Sequence, residues 1–380
     1  MSVMEHFASQ QLFKIGVVLR DFRLGGSERV AIGLANYWSG LGFLVTVFVG
    51  RSEGEMRELL RPEIIVHSAS LPTTVPDRLL GEKTACAAQQ HFRANPVQAC
   101  YVPGNGHWPI TRRLAQLPKR VRPTLVSQVS SPIFRQGRSL LSQWLYNVRM
   151  RFLLRASDHV VAVSRELAKD TRSVLTGREV KVIPLPVVWE EHDLVPVPEK
   201  GALNILAAGR LVPVKGFDVL IEAIALVKKQ CPTVRLTICG EGPERPRLEN
   251  LISTLGLHDN VVLAGYVSCI RPWLDACRMF VLSSYAESYG AVLVEALAAG
   301  RQIVSTRCTP ALQDLMQAPW VGEAVSVGDP CALADAIVRL QSQPAPPCEK
   351  LAETVRSFHL AHGGEHYLSL LASSQGARGR

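Results

Sequence analysis

The sequence lacks several features that would define its compartment and its metal chemistry. No apolar run reaches the roughly 18 residues that suggest a membrane-spanning helix. The first residues lack the basic-then-apolar order of a secretory signal. Nine cysteines show no CxxC or other zinc-type spacing, which favours reduced thiols in the cytoplasm. No DxD pair follows a predicted strand, so we expect no carboxylate clamp for a divalent metal. We expect no other cofactor either.

Acidic residues are missing from one long segment. Residues 1–196 carry 25 Lys and Arg against 16 Asp and Glu, whereas residues 197–380 carry 17 of each. From Lys83 to Ser157 there are 12 basic residues and no acidic one. This segment favours an anionic partner, with a merely solvated basic face as the alternative. No RNA- or DNA-binding motif accompanies the charge, so we do not expect nucleic acid as the partner.

Short apolar strands alternate with helical patterns along the chain, which is typical of α/β domains with mainly parallel sheets. The first series of predicted strands is Leu12–Leu19, Phe43–Val49, Ile64–His67, Ala99–Val102, Thr124–Val129, His159–Val163 and Val180–Pro184. The second series is Asn204–Ala208, Arg235–Cys239, Asn260–Leu263, Met279–Ser283, Gln302–Ser305 and Ala324–Val327. The proline- and charge-rich stretch Val187–Gly201 is the predicted linker.

This order predicts two Rossmann-like domains, at residues 1–190 and 201–347, with parallel sheets facing across a cleft. Residues 348–373 are predicted to form helices that return to the first domain. In open sheets of this kind, ligands bind outside the carboxyl ends of the strands. The candidate site residues should therefore lie in loops that follow strands.

The stretch Ser283–Gly300 carries two acids around a predicted helix start. Glu287 precedes the helix, and Glu295 lies about one turn inside it. Free backbone N–H groups at a helix start bind anions. Two carboxylates on either side of such a site suit a sugar nucleotide, whose hydroxylated rings flank a diphosphate. Alternatively, Glu287 only complements the helix dipole and Glu295 is simply solvated.

Two cations and two glycine-rich turns also follow predicted strands. Arg210 and Lys215 could together neutralise a diphosphate leaving group, or could be ordinary exposed loop cations. The turns Gly25-Gly26 and Gly240-Glu241-Gly242 permit close backbone approach to a ligand, but neither completes a dinucleotide fingerprint. His107, also in a loop after a strand, suits acid–base or hydroxyl-binding work, with a structural hydrogen bond as an equal alternative.

Taken in order, these motifs resemble the family 4 retaining glycosyltransferases, the group 1 glycosyltransferases of GT-B fold. The resemblance rests on seven segments: Gly25–Val30, Val161–Ser164, Ile183-Pro184, Gly209–Gly216, Cys239–Pro243, Gly265–Val267 and Glu287–Glu295. It implies a nucleotide-sugar bound by the second domain and an acceptor bound by the first. It also implies transfer with retention of anomeric configuration, by front-face attack without a protein nucleophile.

The resemblance assigns roles to individual positions. Glu295 matches the acid that binds ribose, Glu287 matches the acid that contacts the donor sugar, and Arg210 and Lys215 match the pair that stabilises the departing diphosphate. The implied donor-binding set is Gly25, Gly26, Gly240, Glu241, Gly242, Tyr266, Val267, Ser288, Tyr289, Gly290, Ala291, Val292 and Glu295.

The sequence departs from the family near the acceptor. Where the family often carries a histidine near the donor sugar, this chain has Ser130-Ser131. His107, one strand earlier, is the candidate substitute and is counted with the catalytic residues. Asn105, Ser130 and Ser131 are assigned to the acceptor side. Arg301, directly after Gly300, also alters the family pattern.

The segment Phe134–Ala156 combines arginines with apolar residues at helical spacing. This pattern predicts a helix lying on an anionic membrane surface, with a core-facing helix and a basic exposed side as the alternative. We therefore expect a cytoplasmic protein, peripheral on the inner face of the cytoplasmic membrane, that takes a saccharide or a lipid-diphosphate-linked acceptor.

The sequence as a whole predicts a retaining, metal-independent glycosyltransferase of surface polysaccharide or glycolipid synthesis, with a UDP-sugar favoured as donor. Two alternatives stay open. One is a non-catalytic nucleotide-sugar-binding subunit, and the other is a sugar-nucleotide epimerase or phosphorylase on the same fold.

Overall fold

A computed structural model describes residues 13–23, 25–134, 138–189, 193–198 and 203–373. The chain divides into two compact units. The described residues of Met1–Trp189 and Ser357–Arg380 form the first unit, and those of Glu190–Arg356 form the second. The second unit is therefore inserted into the sequence of the first.

The first unit is built on a parallel sheet that has seven strands within the described residues, in the order β3-β2-β1-β4-β5-β6-β7. Its strands are β1 (Lys14–Leu19), β2 (Leu44–Val49), β3 (Ile65–Ser68), β4 (Ala99–Val102), β5 (Thr124–Val129), β6 (His159–Ala162) and β7 (Lys181–Val182). Its first helices are α1 (Gly26–Gly40), α2 (Asp77–Ala94), α3 (Trp108–Leu114), α4 (Leu140–Leu154) and α5 (Arg165–Val174). Central strands such as β4 and β5 are buried along their whole length, as parallel strands covered on both faces should be.

The second unit is also built on a parallel sheet, with six described strands in the order β10-β9-β8-β11-β12-β13. Its strands are β8 (Asn204–Ala208), β9 (Arg235–Cys239), β10 (Val261–Gly265), β11 (Met279–Leu282), β12 (Gln302–Thr306) and β13 (Gly322–Val325). Its helices are α6 (Phe217–Gln230), α7 (Arg245–Thr254), α8 (Arg271–Ala276), α9 (Ala291–Ala298), α10 (Leu312–Leu315), α11 (Pro330–Ser342) and α12 (Cys348–Glu353). The predicted α/β class with two Rossmann-like domains is confirmed.

The last helix, α13 (Leu360–Ala372), completes the core of the first unit. Tyr367 Oη donates to Gln128 Oε1 at 2.8 Å, and Tyr101 Oη donates to the same oxygen at 2.5 Å. Trp38 Nε1 donates to the carbonyl of Gly364 at 3.1 Å. The Trp38 N–H and the Tyr367 hydroxyl group have these partners only when α13 is in place, so the two bonds fix the position of the helix.

The observed division between the units falls after Arg356, whereas the sequence predicted a boundary after residue 347. The cause lies in α12, whose Cys348 packs directly against Gly300. The fully buried Arg301 donates to the carbonyls of Val195 and Asp275, both at 2.9 Å. These contacts hold α12 and residues 193–198 of the predicted linker in the second unit. At the linker's other end, the Val188 carbonyl accepts from the Leu360 N–H in the first unit.

Candidate functional site

Both units carry candidate residues where the strand order of the sheet reverses. β1 lies between β2 and β4, and β8 lies between β9 and β11. At such a point the loops leaving adjacent strands run in opposite directions, which opens a crevice at the carboxyl ends. The loops after β1 and β4 lead to Gly25 and His107, and those after β8 and β11 lead to Lys215 and Glu287.

Lys215 and Glu287 form an ion pair in the second unit. Lys215 ends a one-turn helix, Pro213–Lys215, and its Nζ lies 2.5 Å from Glu287 Oε1. Ser284 Oγ donates to the same carboxylate oxygen at 2.7 Å. The Glu287 N–H donates to the carbonyl of Cys308 at 2.9 Å, which fixes the backbone of the acid. The sequence proposed roles for both residues, and the structure brings their charged groups together at one crevice.

The turn after β11 determines the backbone conformation at the start of α9. Gly290 precedes the helix with φ 82°, a left-handed conformation that favours glycine. The buried Thr309 Oγ1 donates to the Tyr289 carbonyl at 2.8 Å. The Tyr289 side chain is itself buried, which raises the pKa of its phenol. Ala291 and Val292, half-buried, open the helix. The Gly290 conformation and the Thr309 hydrogen bond therefore fix the position of the first N–H groups of α9.

The other donor-side residues are distributed around the same sheet edge. Arg210 is exposed and follows β8 directly, whereas Glu295 is half-buried on α9. Tyr266 and Val267 follow the edge strand β10, with Tyr266 well exposed. Ser288 is exposed just before the turn at Gly290.

The glycines of the second unit have a structural cause that the sequence interpretation missed. A Cβ at Gly240 would collide with the carbonyl of Gly209, and one at Gly242 would collide with that of Leu211. Gly209 and Gly240 adopt φ 154° and 150°, which side chains rarely accept. The close approach that Gly240 and Gly242 permit is thus to protein backbone. Between these glycines, Glu241 forms an ion pair with Arg245, in which Oε1 lies 3.4 Å from Nη1.

In the first unit, His107 lies in a buried polar cluster beside α1. Its Nε2 accepts the Arg20 N–H at 3.3 Å and lies 3.6 Å from Glu28 Oε1. Arg20 Nη2 lies 3.8 Å from the same carboxylate oxygen. Burial, together with the nearby Arg20 charge, lowers the pKa of His107 to about 3, and burial raises the pKa of Glu28. The imidazole is 1% exposed and stays neutral, which favours hydrogen bonding over proton transfer.

The acceptor-side residues are joined by hydrogen bonds. Asn105 Oδ1 accepts from the Ser130 N–H at 3.1 Å, and Asn105 Nδ2 donates to the Ser131 carbonyl at 2.8 Å. Ser130 Oγ lies 3.2 Å from Ser27 Oγ at the start of α1. The loops after β4 and β5 are thereby tied to the Gly25-Gly26 turn.

The two glycines of that turn differ in their surroundings. A Cβ at Gly25 would collide with the Glu28 carboxylate, whereas one at Gly26 would meet no protein atom within 4 Å. Gly25 is therefore explained by its own helix. Gly26 leaves open space above the first turn of α1.

Sequence reasoning missed Ser284, Glu28 and Arg20. Ser284 and Glu28 stand inside segments already singled out. Ser284 binds Glu287 three residues later, whereas Glu28 contacts His107 from a distant loop. Arg20 and His107 are separated by three strands, β2, β3 and β4, and by the helices α1 and α2. Within the described ranges, no group of three or more His, Cys, Asp or Glu side chains is arranged to hold a metal ion.

Two family models together match most of the chain. The model described as Glycosyl transferase 4-like domain matches residues 25–203, and the one described as Glycosyl transferases group 1 matches residues 202–343. A structure of S. aureus TarM, a mutant in complex with Fondaparinux, alpha-GlcNAc-glycerol and UDP, has a TM-score of 0.75 at 12% identity. That similarity covers 95% of this chain and all of TarM. The fold is therefore of the GT-B type.

Curated relatives agree with the models. The lipopolysaccharide core biosynthesis glycosyltransferase LpsE of Rhizobium meliloti is 32% identical over 237 residues, which are 60% of this chain and 68% of LpsE. The gpi3 subunit of phosphatidylinositol N-acetylglucosaminyltransferase from Schizosaccharomyces pombe is 33% identical over 168 residues. That match spans 42% of this chain and only about a third, 36%, of gpi3. The chain belongs to the group 1 glycosyltransferases.

Proposed function

We propose that this chain transfers a sugar from a nucleotide-sugar, with a UDP-sugar as the preferred donor, to a saccharide or a lipid-diphosphate-linked acceptor. The observation that carries the proposal is the Lys215–Glu287 pair at the switch point of the second sheet, beside the start of α9. LpsE acts in lipopolysaccharide core synthesis, and the TarM structure contains UDP. The LpsE similarity supports a role in surface glycan synthesis, and the UDP in TarM supports a UDP-sugar as donor.

Each group has a distinct task in this proposal. Lys215 and Arg210 meet the negative charge that develops on the departing diphosphate. The first N–H groups of α9 hold phosphate oxygens. Glu287, steadied by Ser284, accepts hydrogen bonds from the donor sugar's hydroxyl groups, and Glu295 accepts those of the ribose. The diphosphate charge is then balanced by side chains and backbone, so the transfer proceeds without a metal cofactor.

The chemical step that we propose retains the anomeric configuration. The bond between the anomeric carbon and the β-phosphate oxygen breaks, and an acceptor oxygen bonds to the same face of that carbon. The acceptor's proton passes to the departing phosphate oxygen. His107 is too deeply buried to be the base, which fits a step in which the leaving group itself takes the proton.

The direct test is turnover of a panel of UDP- and GDP-sugars, measured as nucleoside diphosphate release with and without saccharide acceptors. We expect turnover of at least one UDP-sugar that persists in EDTA, and a product with the donor's anomeric configuration by NMR. A rise in melting temperature with UDP but no turnover would instead identify a non-catalytic binding subunit. Release of an altered sugar nucleotide, or phosphate-dependent cleavage, would identify an epimerase or a phosphorylase.

We also propose that the enzyme works peripherally at the cytoplasmic face of the membrane, where lipid-diphosphate-linked saccharides can be presented. The basic, acid-free segment of the first unit supports this location. Fractionation of cells after high-salt washing tests it, since a peripheral protein leaves the membrane fraction as the salt concentration rises.

A further inference from the structure

Helix α4 exposes an apolar surface. Six of its side chains are between 48 and 92% exposed: Leu140, Leu141, Trp144, Leu145, Val148 and Phe152. With about 3.6 residues per turn, these positions share one side of the helix. We call this set the α4 face. Contiguous apolar surface of this kind marks interaction sites more often than single exposed leucines do.

The orientation of α4 is fixed by its other side. Gln143, Met150, Leu153 and Leu154 are buried. On this buried side, Gln143 Nε2 donates to the Ile133 carbonyl at 3.2 Å. Near the end of the helix, Arg151 Nε donates to the Val174 carbonyl at 2.7 Å. The helix therefore turns its buried residues to the unit and its larger apolar surface to solvent. The alternative of a core-facing apolar side with a basic exposed side is wrong for this helix.

Positive charge surrounds the α4 face. Arg149 and Arg155 are exposed on the same helix, and the Arg112 guanidinium of α3 stacks 4.0 Å above the Phe152 ring. No acid occurs from Lys83 to Ser157, so no carboxylate on α3 or α4 offsets this charge. Two copies of the face packed together would bring these like charges close. An anionic bilayer accepts both features, apolar side chains at the acyl boundary and cations among the headgroups.

We propose that the α4 face docks the protein on an anionic lipid bilayer, lying in the interface plane. In the part of the chain that the structure describes, no helix is long and apolar enough to cross a membrane. The loop that carries Ser130 and Ser131 runs into Phe134, itself 59% exposed, shortly before α4. Docking would hold this acceptor-side loop near the headgroups. That consequence rests on the proposed function, whereas the docking itself does not.

The experiment is flotation of the full chain with vesicles of phosphatidylcholine alone or with added phosphatidylglycerol. We expect at least tenfold stronger partitioning onto the anionic vesicles, weakened by high salt. The double variant Leu141→Gln, Leu145→Gln should lose most of this binding, because both side chains are exposed and glutamine keeps the helix. Arg149→Gln with Arg155→Gln should reduce it by about fivefold for each arginine removed.

Matched controls separate the α4 face from general stickiness. Leu59→Gln with Leu79→Gln removes exposed leucines elsewhere in the first unit, and Arg57→Gln removes an exposed cation. All three changes should leave flotation unaltered. Melting temperature and release of UDP from a soluble donor should stay at wild-type values in the α4 variants, since none of these residues belongs to the proposed site.

Three results would overturn the proposal. One is equal flotation with neutral and anionic vesicles. Another is concentration-dependent dimerisation, seen by sedimentation, that the α4 double variant abolishes while flotation is absent. The third is salt-sensitive binding to RNA without vesicle binding. Conversely, flotation by a protein that turns over no nucleotide-sugar would keep the docking surface and reject only the proposed function.

Discussion

The Lys215 ammonium lies 2.5 Å from the Glu287 carboxylate, and Ser284 donates to the same carboxylate oxygen. The pair joins a loop after β8 to a loop after β11, so two adjacent strands present one charged cluster. In the proposed reaction these partners have opposite tasks, because the lysine meets the diphosphate and the acid meets the sugar. Several measurable consequences depend on that division.

Lys215→Ala should lower kcat with little change in KM. The ammonium interacts most strongly with charge that develops during bond breaking, and loss of one such group costs about 10²–10³ in rate. Steady-state kinetics on the preferred UDP-sugar measures the effect. Lys229→Ala, an exposed lysine on α6, is the matched control and should behave as wild type.

Glu295→Ala should weaken nucleotide binding rather than slow the step. Loss of hydrogen bonds to a charged group costs about 1.5–3 kcal/mol, or roughly 10- to 100-fold in Kd. Calorimetric titration with UDP measures it, and Glu222→Ala on α6 serves as control. If Glu295→Ala and Lys215→Ala each reduced binding and turnover equally, the assigned roles would be wrong.

Gly240→Ala should destabilise the second unit severely. The new Cβ would collide with the Gly209 carbonyl. In addition, Gly240 has φ 150°, and backbone strain from such an angle alone costs about 1–3 kcal/mol. Gly256→Ala is the control, because Gly256 has φ 62° and no atom lies near its added Cβ. Left-handed backbone strain of about 1–2 kcal/mol should be its only destabilising effect. Urea unfolding should rank the variants in that order. Equal stability of the two would contradict the packing described around Gly209.

Gly26→Ala should separate ligand approach from folding. Its Cβ meets no protein atom, and the residue begins α1, so melting temperature should be unchanged or slightly raised. If a ligand occupies the space above this turn, transfer should nevertheless fall. Wild-type turnover in this variant would show that no substrate approaches Gly26.

His107 should make the first unit acid-sensitive. Its pKa is lowered to about 3 in the fold, so the unfolded chain takes up a proton below its ordinary pKa while the folded protein does not. Stability from this group is complete above pH 6.5 and declines as the pH falls towards 3. Between pH 7 and 5 the loss should be about 2 kcal/mol, and His107→Gln should lack it.

Glu28 should act in the opposite sense. Burial raises the pKa of its carboxyl, so the folded protein binds this proton at a higher pH than the unfolded chain. The contribution of Glu28 to stability therefore increases as the pH falls through the raised pKa. A Glu28→Gln variant should show a steeper acid loss than wild type in urea unfolding. An unchanged slope would mean that the carboxylate is not desolvated.

The fold was predictable because buried parallel strands leave a strong local pattern. The runs at Ala99–Val102 and Thr124–Val129 gave the bounds of β4 and β5 as the structure has them. The position of Glu287 and Glu295 around the start of α9 was also readable, because the change from strand to helix is local. The expectation that site residues lie in loops after strands followed from the parallel topology alone, because ligands bind at the carboxyl ends of such strands.

What the sequence could not supply were relationships between distant segments. Gly240 reads as a ligand turn until the structure places the Gly209 carbonyl against it. His107 reads as a catalytic candidate until Arg20 and Glu28 are found around it. The helical spacing of Leu141, Trp144 and Leu145 predicted that they share one side of α4. It did not predict whether that side faces the core or the solvent, because the same spacing fits both.

The bond from Tyr367 to Gln128 joins residues that are 239 positions apart and has a consequence for synthesis. A ribosome must translate the whole second unit before it supplies the helix that completes the first. The second unit is continuous in sequence and can fold while the nascent chain is still growing. The first must wait for α13, because the Trp38 indole N–H bonds to the Gly364 carbonyl in that helix. A stop codon anywhere before Leu360 would therefore damage the half of the molecule that was made earliest.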